Sequence, residues 1–212
     1  MDNANGFLLL DFFNMGGIFM WPLLVFSIAT ISIALERVIY LLSHDLRMEH
    51  LNCQVMDHVR EKDIDGAKDY LNGKIKKFTG ARILLALLNH AGQTEQLMEK
   101  AAETEAKNCI NELESGFDFL TALGSLAPLT GFLGTVSGMI GAFKSIAEAT
   151  EVNAQIVANG IYEALITTVF GLIIAIIAMV ANSLLSHAVD NFAAHAEKSC
   201  SEVILELAGS GY

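Results

Sequence analysis

Ala127-Pro-Leu-Thr-Gly-Phe-Leu-Gly-Thr-Val-Ser-Gly-Met-Ile-Gly141 is the stretch that decides the fold, together with Glu163-Ala-Leu-Ile-Thr-Thr-Val-Phe-Gly-Leu-Ile-Ile-Ala175. Both stretches are apolar, and both belong to longer runs that could cross a bilayer. Each carries small residues at regular spacing and hydroxyl groups near its middle. These features favour two membrane helices that pack closely.

Three runs lack Asp, Glu, Lys and Arg entirely: 12–35, 119–143 and 164–189, of 24, 25 and 26 residues. A membrane-spanning helix needs about 20 apolar residues. Only 17% of the 212 residues are charged, against about 25% in an ordinary soluble domain. We therefore predict an all-α integral membrane protein with three transmembrane helices.

The formal net charge is −11, whereas a nucleic-acid-binding surface is basic. We therefore expect no nucleic-acid partner, and the lipid bilayer is the partner that composition indicates. Cys53, Cys109 and Cys200 are far apart, odd in number and without C-x-x-C spacing, which argues against a disulfide framework or a zinc site. We predict no metal site and no cofactor.

Basic residues are concentrated between the first two apolar runs, where residues 43–115 hold 10 of the 13 Lys and Arg residues. Cytoplasmic segments carry this basic excess, so we place 43–115 and the C-terminus inside and the N-terminus outside. The predicted segments are an outer N-terminus (1–11), a first transmembrane helix (12–42), a cytoplasmic helical segment (43–115), a second transmembrane helix (116–144), a short outer connection (145–160), a third transmembrane helix (161–188) and a cytoplasmic C-terminal helix (189–212).

The second and third spans are expected to extend into a cytoplasmic helical bundle. Residues 97–114 have a helical pattern that leads towards the second span without an obvious breaker. The third helix is expected to continue past Asn182-Ser183 to Leu207, and its acidic tail is expected to bundle with 94–115.

Small residues form one stripe along each of the last two spans. In the second span Gly124, Ala127, Gly131, Gly134, Gly138 and Gly141 follow at steps of three and four; in the third, Gly160, Ala164, Thr168, Gly171, Ala175 and Ala178 do the same. Small residues let membrane helices approach closely. We assign a helix-packing role to Gly131, Gly134, Gly138 and Gly171.

Hydroxyl groups accompany these stripes, with Thr135 on or beside the first and Thr168 on the second. A helix surface of small side chains and hydroxyl groups suits either helix packing or a water-filled path for ions. No ionisable residue lies deep in any span, although ion-translocating proteins usually have one there. Either the chain conducts nothing alone, or a partner supplies a carboxylate. Glu163, at the outer start of the third span, is either an interfacial anchor or an ion-entrance group.

The two motifs Leu126-Ala-Pro-Leu-Thr-Gly-Phe-Leu-Gly-Thr-Val-Ser-Gly-Met-Ile-Gly-Ala-Phe143 and Glu163-Ala-Leu-Ile-Thr-Thr-Val-Phe-Gly-Leu172 resemble those of the MotA/TolQ/ExbB proton-channel family, most closely its ExbB/TolQ branch. Trp21-Pro-Leu-Leu24 and Leu35-Glu-Arg37 resemble that branch's first helix.

The resemblance implies a bacterial inner-membrane protein with a periplasmic N-terminus. It implies a homo-oligomer, a pentamer, whose central pore is lined by the second and third spans. The pore would hold two copies of an ExbD/TolR-like single-span partner, whose aspartate supplies the missing carboxylate. Ion flow would then energise a TonB- or TolA-like protein. Thr135 and Thr168 match the family's pore threonines, and Glu163 matches its acidic residue in the third helix.

Two departures from the family pattern affect these expectations. The third helix has Ala175-Ile-Ile-Ala178 where the family usually has a proline, so a kink is expected to be absent. Thr167 adjoins Thr168 where many proton-driven members have alanine, and this extra pore-lining hydroxyl could favour sodium.

The sequence thus predicts an ion-driven motor subunit, with protons as the favoured ion, and no enzyme activity. The alternatives are a sodium-driven member of the same family and a non-conducting scaffold packed through its glycine stripes. A secondary transporter is disfavoured because the chain has three spans and no inverted repeat.

Overall fold

The computed structural model describes residues 16–148 and 154–209, which form α-helices joined by short connections. The helices are α1 (Met20–Ser43), α2 (Glu49–Arg60), α3 (Ile64–Asn72), α4 (Thr79–Leu88), α5 (Glu95–Glu114), α6 (Phe117–Glu148) and α7 (Ala154–Gly209). Within these ranges the only strand-like pairing is an isolated bridge between Asp45 and Phe78. The predicted all-α fold class is confirmed. The predicted N-terminal segment 1–11 and residues 149–153 of the predicted connection lie outside the described residues.

Three helices, α1, α6 and α7, are long and apolar enough to span a membrane. They have 24, 32 and 56 residues, and each contains most or all of one predicted charge-free run. α7 continues without interruption past Asn182-Ser183 to Gly209, as the sequence predicts for a third helix that lacks the family's proline.

The chain divides into two compact units. The first, which we call the span unit, comprises Met1–Leu35 and Gly116–Ser183. The second, the bundle unit, comprises Glu36–Ser115 and Leu184–Tyr212.

The helix expected to run from 97–114 into the second span is interrupted at Ser115–Gly116. Ser115 ends α5 with extended backbone angles, φ −51° and ψ 125°, and Gly116 has φ +91°. A left-handed φ suits glycine because it has no Cβ. The Ser-Gly pair is therefore the breaker that the sequence analysis overlooked, and α5 and α6 are separate helices.

The bundle unit has a core centred on α4, where Ile83, Leu84, Leu87 and Leu88 are fully buried. α2 contributes buried residues at helical spacing: Leu51, Val55 and Val59. The tail of α7 buries Phe192, Val203 and Leu207.

The tail of α7 lies beside two other helices of the bundle unit. Asn52 of α2 donates a hydrogen bond to Glu202, and Arg60 pairs with Glu206 at 3.4 Å. A groove between α5 and the tail is lined by small residues that include Ala102, Ala106, Ala193 and Ala196. Residues of both α5 and the tail of α7 therefore line one groove, where the sequence predicts that the tail bundles with residues 94–115.

Arg82 connects α4 to two carboxylates of α5. Its Nη1 donates to Glu112 at 2.6 Å and its Nε donates to Glu105 at 2.8 Å. The hydrogen bond from Arg82 lowers the pKa of Glu112 below its ordinary value, and the same bond raises the pKa of Arg82. All three side chains are partly exposed, so this is a surface network rather than a buried pair.

In the span unit, α6 and α7 pack antiparallel through their small residues. Buried positions of α6 recur at Gly124, Ala127, Gly131, Gly134, Gly138 and Ala142. Their neighbours on α7 run in the opposite order, from Met179 beside Gly124 to Gly160 beside Ala142. Gly141 departs from the expected stripe, because it is exposed and nothing lies within 4 Å of a Cβ built on it.

The approach is closest around Gly131 and Gly171, where backbone meets backbone. A Cβ on Gly131 would lie 2.8 Å from the carbonyl oxygen of Thr167, and a Cβ on Gly171 would lie 2.6 Å from that of Ala127. A backbone atom cannot move aside as a flexible side chain can. Glycine is therefore required at both positions if the helices are to stay this close.

α1 packs against the other two spans through a small apolar cluster. Its residues Met20 and Leu23 are buried together with Ala127 of α6 and with Ile166 and Ile174 of α7. This contact attaches the first helix to the α6–α7 pair.

We predict that Gly131→Ala separates α6 from α7 and destabilises the span unit by about 1–3 kcal/mol, the usual effect of overpacking. Gly141→Ala is the matched control: it adds the same methyl group on the same helix where nothing is in contact, so it should be neutral or slightly stabilising. Thermal unfolding of both variants in lipid nanodiscs measures the difference. Equal melting temperatures would show that the close approach at Gly131 does not limit stability.

We predict that Arg82→Ala destabilises the bundle unit by about 1 kcal/mol at pH 7, a typical value for a surface ion-pair network. Because the folded pKa of Glu112 lies below its ordinary 4.5, this contribution is complete above about pH 5 and is lost as the pH falls through the lowered value. The difference in stability between wild type and variant should therefore be largest at pH 7 and should decrease as the pH is lowered towards 3, as unfolding curves at several pH values would show. Lys100→Ala, which removes an exposed pair within α5, should have a smaller effect; a pH-independent deficit in Arg82→Ala would contradict the electrostatic explanation.

Candidate functional site: the contact between the second and third spans

Thr167 lies inside the contact between α6 and α7, with 0% of its surface exposed. Its hydroxyl donates to the Ala164 carbonyl one turn back at 2.9 Å and also lies 3.3 Å from the carbonyl oxygen of Gly131. A Cβ on Gly134 would collide with this hydroxyl at 2.3 Å. The position is that of a packing residue, and the hydroxyl is already bonded within the protein.

Thr168, the next residue, lies at the edge of the same contact and is partly exposed. Its hydroxyl donates to the Gly131 carbonyl at 3.3 Å. One carbonyl of α6 therefore accepts from Thr168 and also lies within 3.3 Å of the Thr167 hydroxyl, whose nearer acceptor is Ala164. Hydrogen bonds of this kind between membrane helices contribute about 0.6–2 kcal/mol each, so they reinforce the glycine contact.

Thr135 follows Gly131 by four residues and so lies one turn further along the same side of α6, about 6 Å along the axis. It is partly exposed, and its hydroxyl donates to the Phe132 carbonyl of its own helix at 2.7 Å. The fold thus brings Thr135 and Thr168 to the edge of one contact, whereas Thr167 is enclosed by it.

The edge of the α6–α7 contact that carries Thr135 and Thr168 lies in an apolar environment. Large apolar side chains of both helices are exposed around it, including Phe132 and Val136 of α6 and Leu165 and Leu172 of α7. The charge-free runs 119–143 and 164–189 lie in these two helices, so neither helix has an Asp, Glu, Lys or Arg residue within the part that carries these hydroxyls.

Glu163 is not part of this edge. Its partly buried carboxylate lies against Gly17, just before α1, where a Cβ would fall 1.8 Å from the Oε1 atom of Glu163. Gly17 has φ +66° and its carbonyl accepts from the Met20 amide at 3.2 Å. Glu163 therefore joins the third helix to the start of the first, one or two turns before Thr168.

Gly17 is a residue that the sequence analysis did not single out. Its left-handed φ disfavours a side chain at this position, and a Cβ there would also require the Glu163 carboxylate to move. The pair Gly16-Gly17 immediately before an apolar helix was the available signal, but nothing in the sequence indicated that Glu163 would be its neighbour. In the described residues, no three His, Cys, Asp or Glu side chains are placed to hold a metal ion.

The MotA/TolQ/ExbB proton channel family model matches residues 70–198. This range contains α4, α5, α6 and most of α7, and therefore the whole contact between the second and third spans. The matched residues make up more than half of the chain.

Individual relatives extend the similarity beyond that range. An ExbB-like protein of Synechocystis sp. (ExbB-like 1) is 35% identical over 204 residues, covering 88% of this chain and 75% of the relative. The biopolymer transport protein exbB1 of Vibrio cholerae is 31% identical over 198 residues, covering 91% and 86%. The Tol-Pal system protein TolQ of Haemophilus influenzae is 43% identical over 77 residues, covering 36% and 34%. The chain therefore belongs to the MotA/TolQ/ExbB proton channel family.

Proposed function

We propose that this chain is the channel-forming subunit of an ExbB/TolQ-type motor in the bacterial inner membrane, driven by an ion gradient and without bond-making chemistry. The observation that carries the proposal is the pair Thr135 and Thr168, two partly exposed hydroxyls at the edge of a glycine-packed contact between charge-free helices. The relatives named biopolymer transport protein and Tol-Pal system protein support the same class.

In this proposal several copies, five by family resemblance, surround a pore. An ExbD/TolR-like single-span partner, in two copies, brings a membrane aspartate to the level of Thr135 and Thr168. These hydroxyls hydrate and hydrogen-bond that aspartate as it binds and releases the ion. The resulting movement energises a TonB- or TolA-like protein, in outer-membrane transport or envelope maintenance.

Glu163 is assigned to the outer end of the ion path, where its contact with Gly17 also positions α1. Thr167 is assigned to helix packing, since it is fully buried and its hydroxyl bonds to carbonyls. Protons are the proposed ion, and a sodium-driven motor is the alternative that flux measurements distinguish.

A non-conducting scaffold is the second candidate. The observation in its favour is that the described hydroxyls of the contact all donate to backbone carbonyls, which packing alone would explain. Co-expression with an ExbD/TolR-like single-span protein, followed by native mass spectrometry, separates the two. A complex of five copies with two of the partner supports the motor; an oligomer that excludes every such partner supports the scaffold.

We predict that Thr135→Val combined with Thr168→Val lowers partner-dependent ion flux at least about tenfold. A hydrogen bond to a charged group contributes about 1.5–3 kcal/mol, and about 1.4 kcal/mol corresponds to a factor of ten in rate. The measurement is proton flux, and separately sodium flux, into proteoliposomes that contain the purified complex.

The matched control is Thr121→Val with Thr130→Val, which removes two hydroxyls from α6 that bond to their own helix. This control should retain flux. If both double variants conduct like wild type while the complex stays intact, Thr135 and Thr168 have no role in the ion path.

The proposed orientation places the bundle unit in the cytoplasm, and the cysteines provide a test. Cys53 is exposed, whereas Cys109 and Cys200 are buried. Burial raises the pKa of the Cys109 thiol to about 11 and that of Cys200 to about 12, so both react slowly near neutral pH.

We predict that a membrane-impermeant maleimide modifies one cysteine per chain in inverted membrane vesicles and none in intact spheroplasts. Mass spectrometry should locate the label on Cys53, and Cys53→Ser should abolish it. Modification of Cys53 in intact spheroplasts would reverse the proposed orientation.

A further inference from the structure

The connection between α3 and α4 carries three lysines within four residues: Lys74, Lys76 and Lys77. The chain as a whole has a net charge of −11 and 13 basic residues, so this is a local exception to an acidic surface. Lys76 and Lys77 are exposed and Lys74 is partly exposed. None of the ion pairs found among the described residues involves these three side chains.

The fold attaches this connection to the end of the first membrane helix. The Asp45 amide, two residues after α1, donates to the Lys77 carbonyl at 2.9 Å. Asp45 and Phe78 form an isolated parallel bridge, and Phe78 is buried. The three lysines are therefore held beside the last turn of α1.

Exposed apolar side chains along α1 indicate where the membrane surface lies. One face of the helix carries the exposed residues Trp21, Leu24, Val25, Ile28, Ile31, Leu35, Val38, Ile39 and Leu42. From Trp21 to Leu42 the helix rises about 32 Å, which matches a hydrocarbon core of about 30 Å. Leu42 is 82% exposed and ends this face, so Asp45 and its attached lysines lie at the level of the lipid headgroups.

The charges within α1 do not interrupt this face. Glu36 and Arg37 bond to each other, and the Arg37 side chain also donates to the Glu112 carbonyl of α5. Arg37 is therefore directed towards α5, and not towards the exposed apolar side of the helix.

The nearby acidic groups already have partners. The Asp45 carboxylate accepts from the Arg47 amide at 3.0 Å, and the Glu112 carboxylate accepts from Arg82 at 2.6 Å. An open recess of about 310 Å³ beside Glu112 is lined by residues that include Tyr40, His44 and Lys76. Lys74 and Lys77 do not line it: their ammonium groups lie 5.8 Å and 5.7 Å from the ring centroids of Tyr70 and Phe78. Among the described residues, none of the three lysines is paired with a carboxylate.

We propose that Lys74, Lys76 and Lys77, together with His44, bind the anionic headgroup of a phospholipid in the leaflet where α1 ends. Basic side chains at the headgroup level attract anionic lipids, and lysine binds phosphate as a point charge. This inference does not depend on the proposed function.

The test uses the full-length protein, purified in a mild detergent and titrated with phosphatidylglycerol or phosphatidylcholine. Native mass spectrometry measures the lipid that is retained. Wild type should retain phosphatidylglycerol at least about tenfold better, since each lysine near an anionic surface contributes about fivefold. Lys74→Gln/Lys76→Gln/Lys77→Gln should abolish this preference, and the corresponding triple arginine variant should restore it.

The matched control is Lys68→Gln/Lys100→Gln/Lys198→Gln, which makes the same change in net charge at lysines elsewhere. It should keep the preference, and thermal unfolding should show that all variants are folded. Equal loss in both glutamine variants would overturn the proposal. Inorganic phosphate or glycerol phosphate that binds as tightly as the lipid would also overturn it, in favour of a soluble anion. A glutamine variant that keeps the lipid but loses a co-purifying protein would overturn it in favour of an acidic protein partner.

Discussion

The close approach of two backbones at Gly131 and Gly171 is the constraint on which the span unit depends. Within a bilayer, apolar helices gain little by leaving lipid for one another, so association relies on contact at short range and on hydrogen bonds. Glycines allow the contact at short range. The Gly131 carbonyl provides hydrogen bonding, because it accepts from Thr168 and lies within 3.3 Å of the Thr167 hydroxyl. A side chain at Gly131 would displace both at once, which is why packing and hydroxyl placement cannot be varied independently.

Much of this arrangement could be predicted because it depends on local patterns. The charge-free runs predicted three long apolar helices, and the spacing of small residues predicted which side of α6 is buried. Gly141 satisfies the spacing but not the contact, and Ala142 takes its place. At 3.6 residues per turn, Ala142 continues the line of contact through Gly131 and Gly138, whereas Gly141 is turned away from it.

Other features depend on contacts between distant parts of the chain, and the sequence did not predict them. Glu163 was expected to be either an interfacial anchor or an ion-entrance group, and only the folded chain brings its carboxylate to Gly17. Thr167 and Thr168 are adjacent and chemically identical, yet one is enclosed and the other lies at the edge because helix rotation separates them by about 100°. The break at Ser115–Gly116 was visible in the residue types, but the helical pattern on both sides concealed it.

The direction of the hydroxyl protons has a consequence for what the edge of the α6–α7 contact can bind. Thr135 and Thr168 each direct their proton to a backbone carbonyl, so the oxygen lone pairs are what remains for a visiting group. Such a surface stabilises a species that brings its own positive charge or acidic hydrogen, such as a bare cation, a hydronium ion or a neutral carboxylic acid. A bare carboxylate would have to compete with these carbonyls for the hydroxyl protons, so a group that cycles between the two forms would be held more strongly in the protonated one.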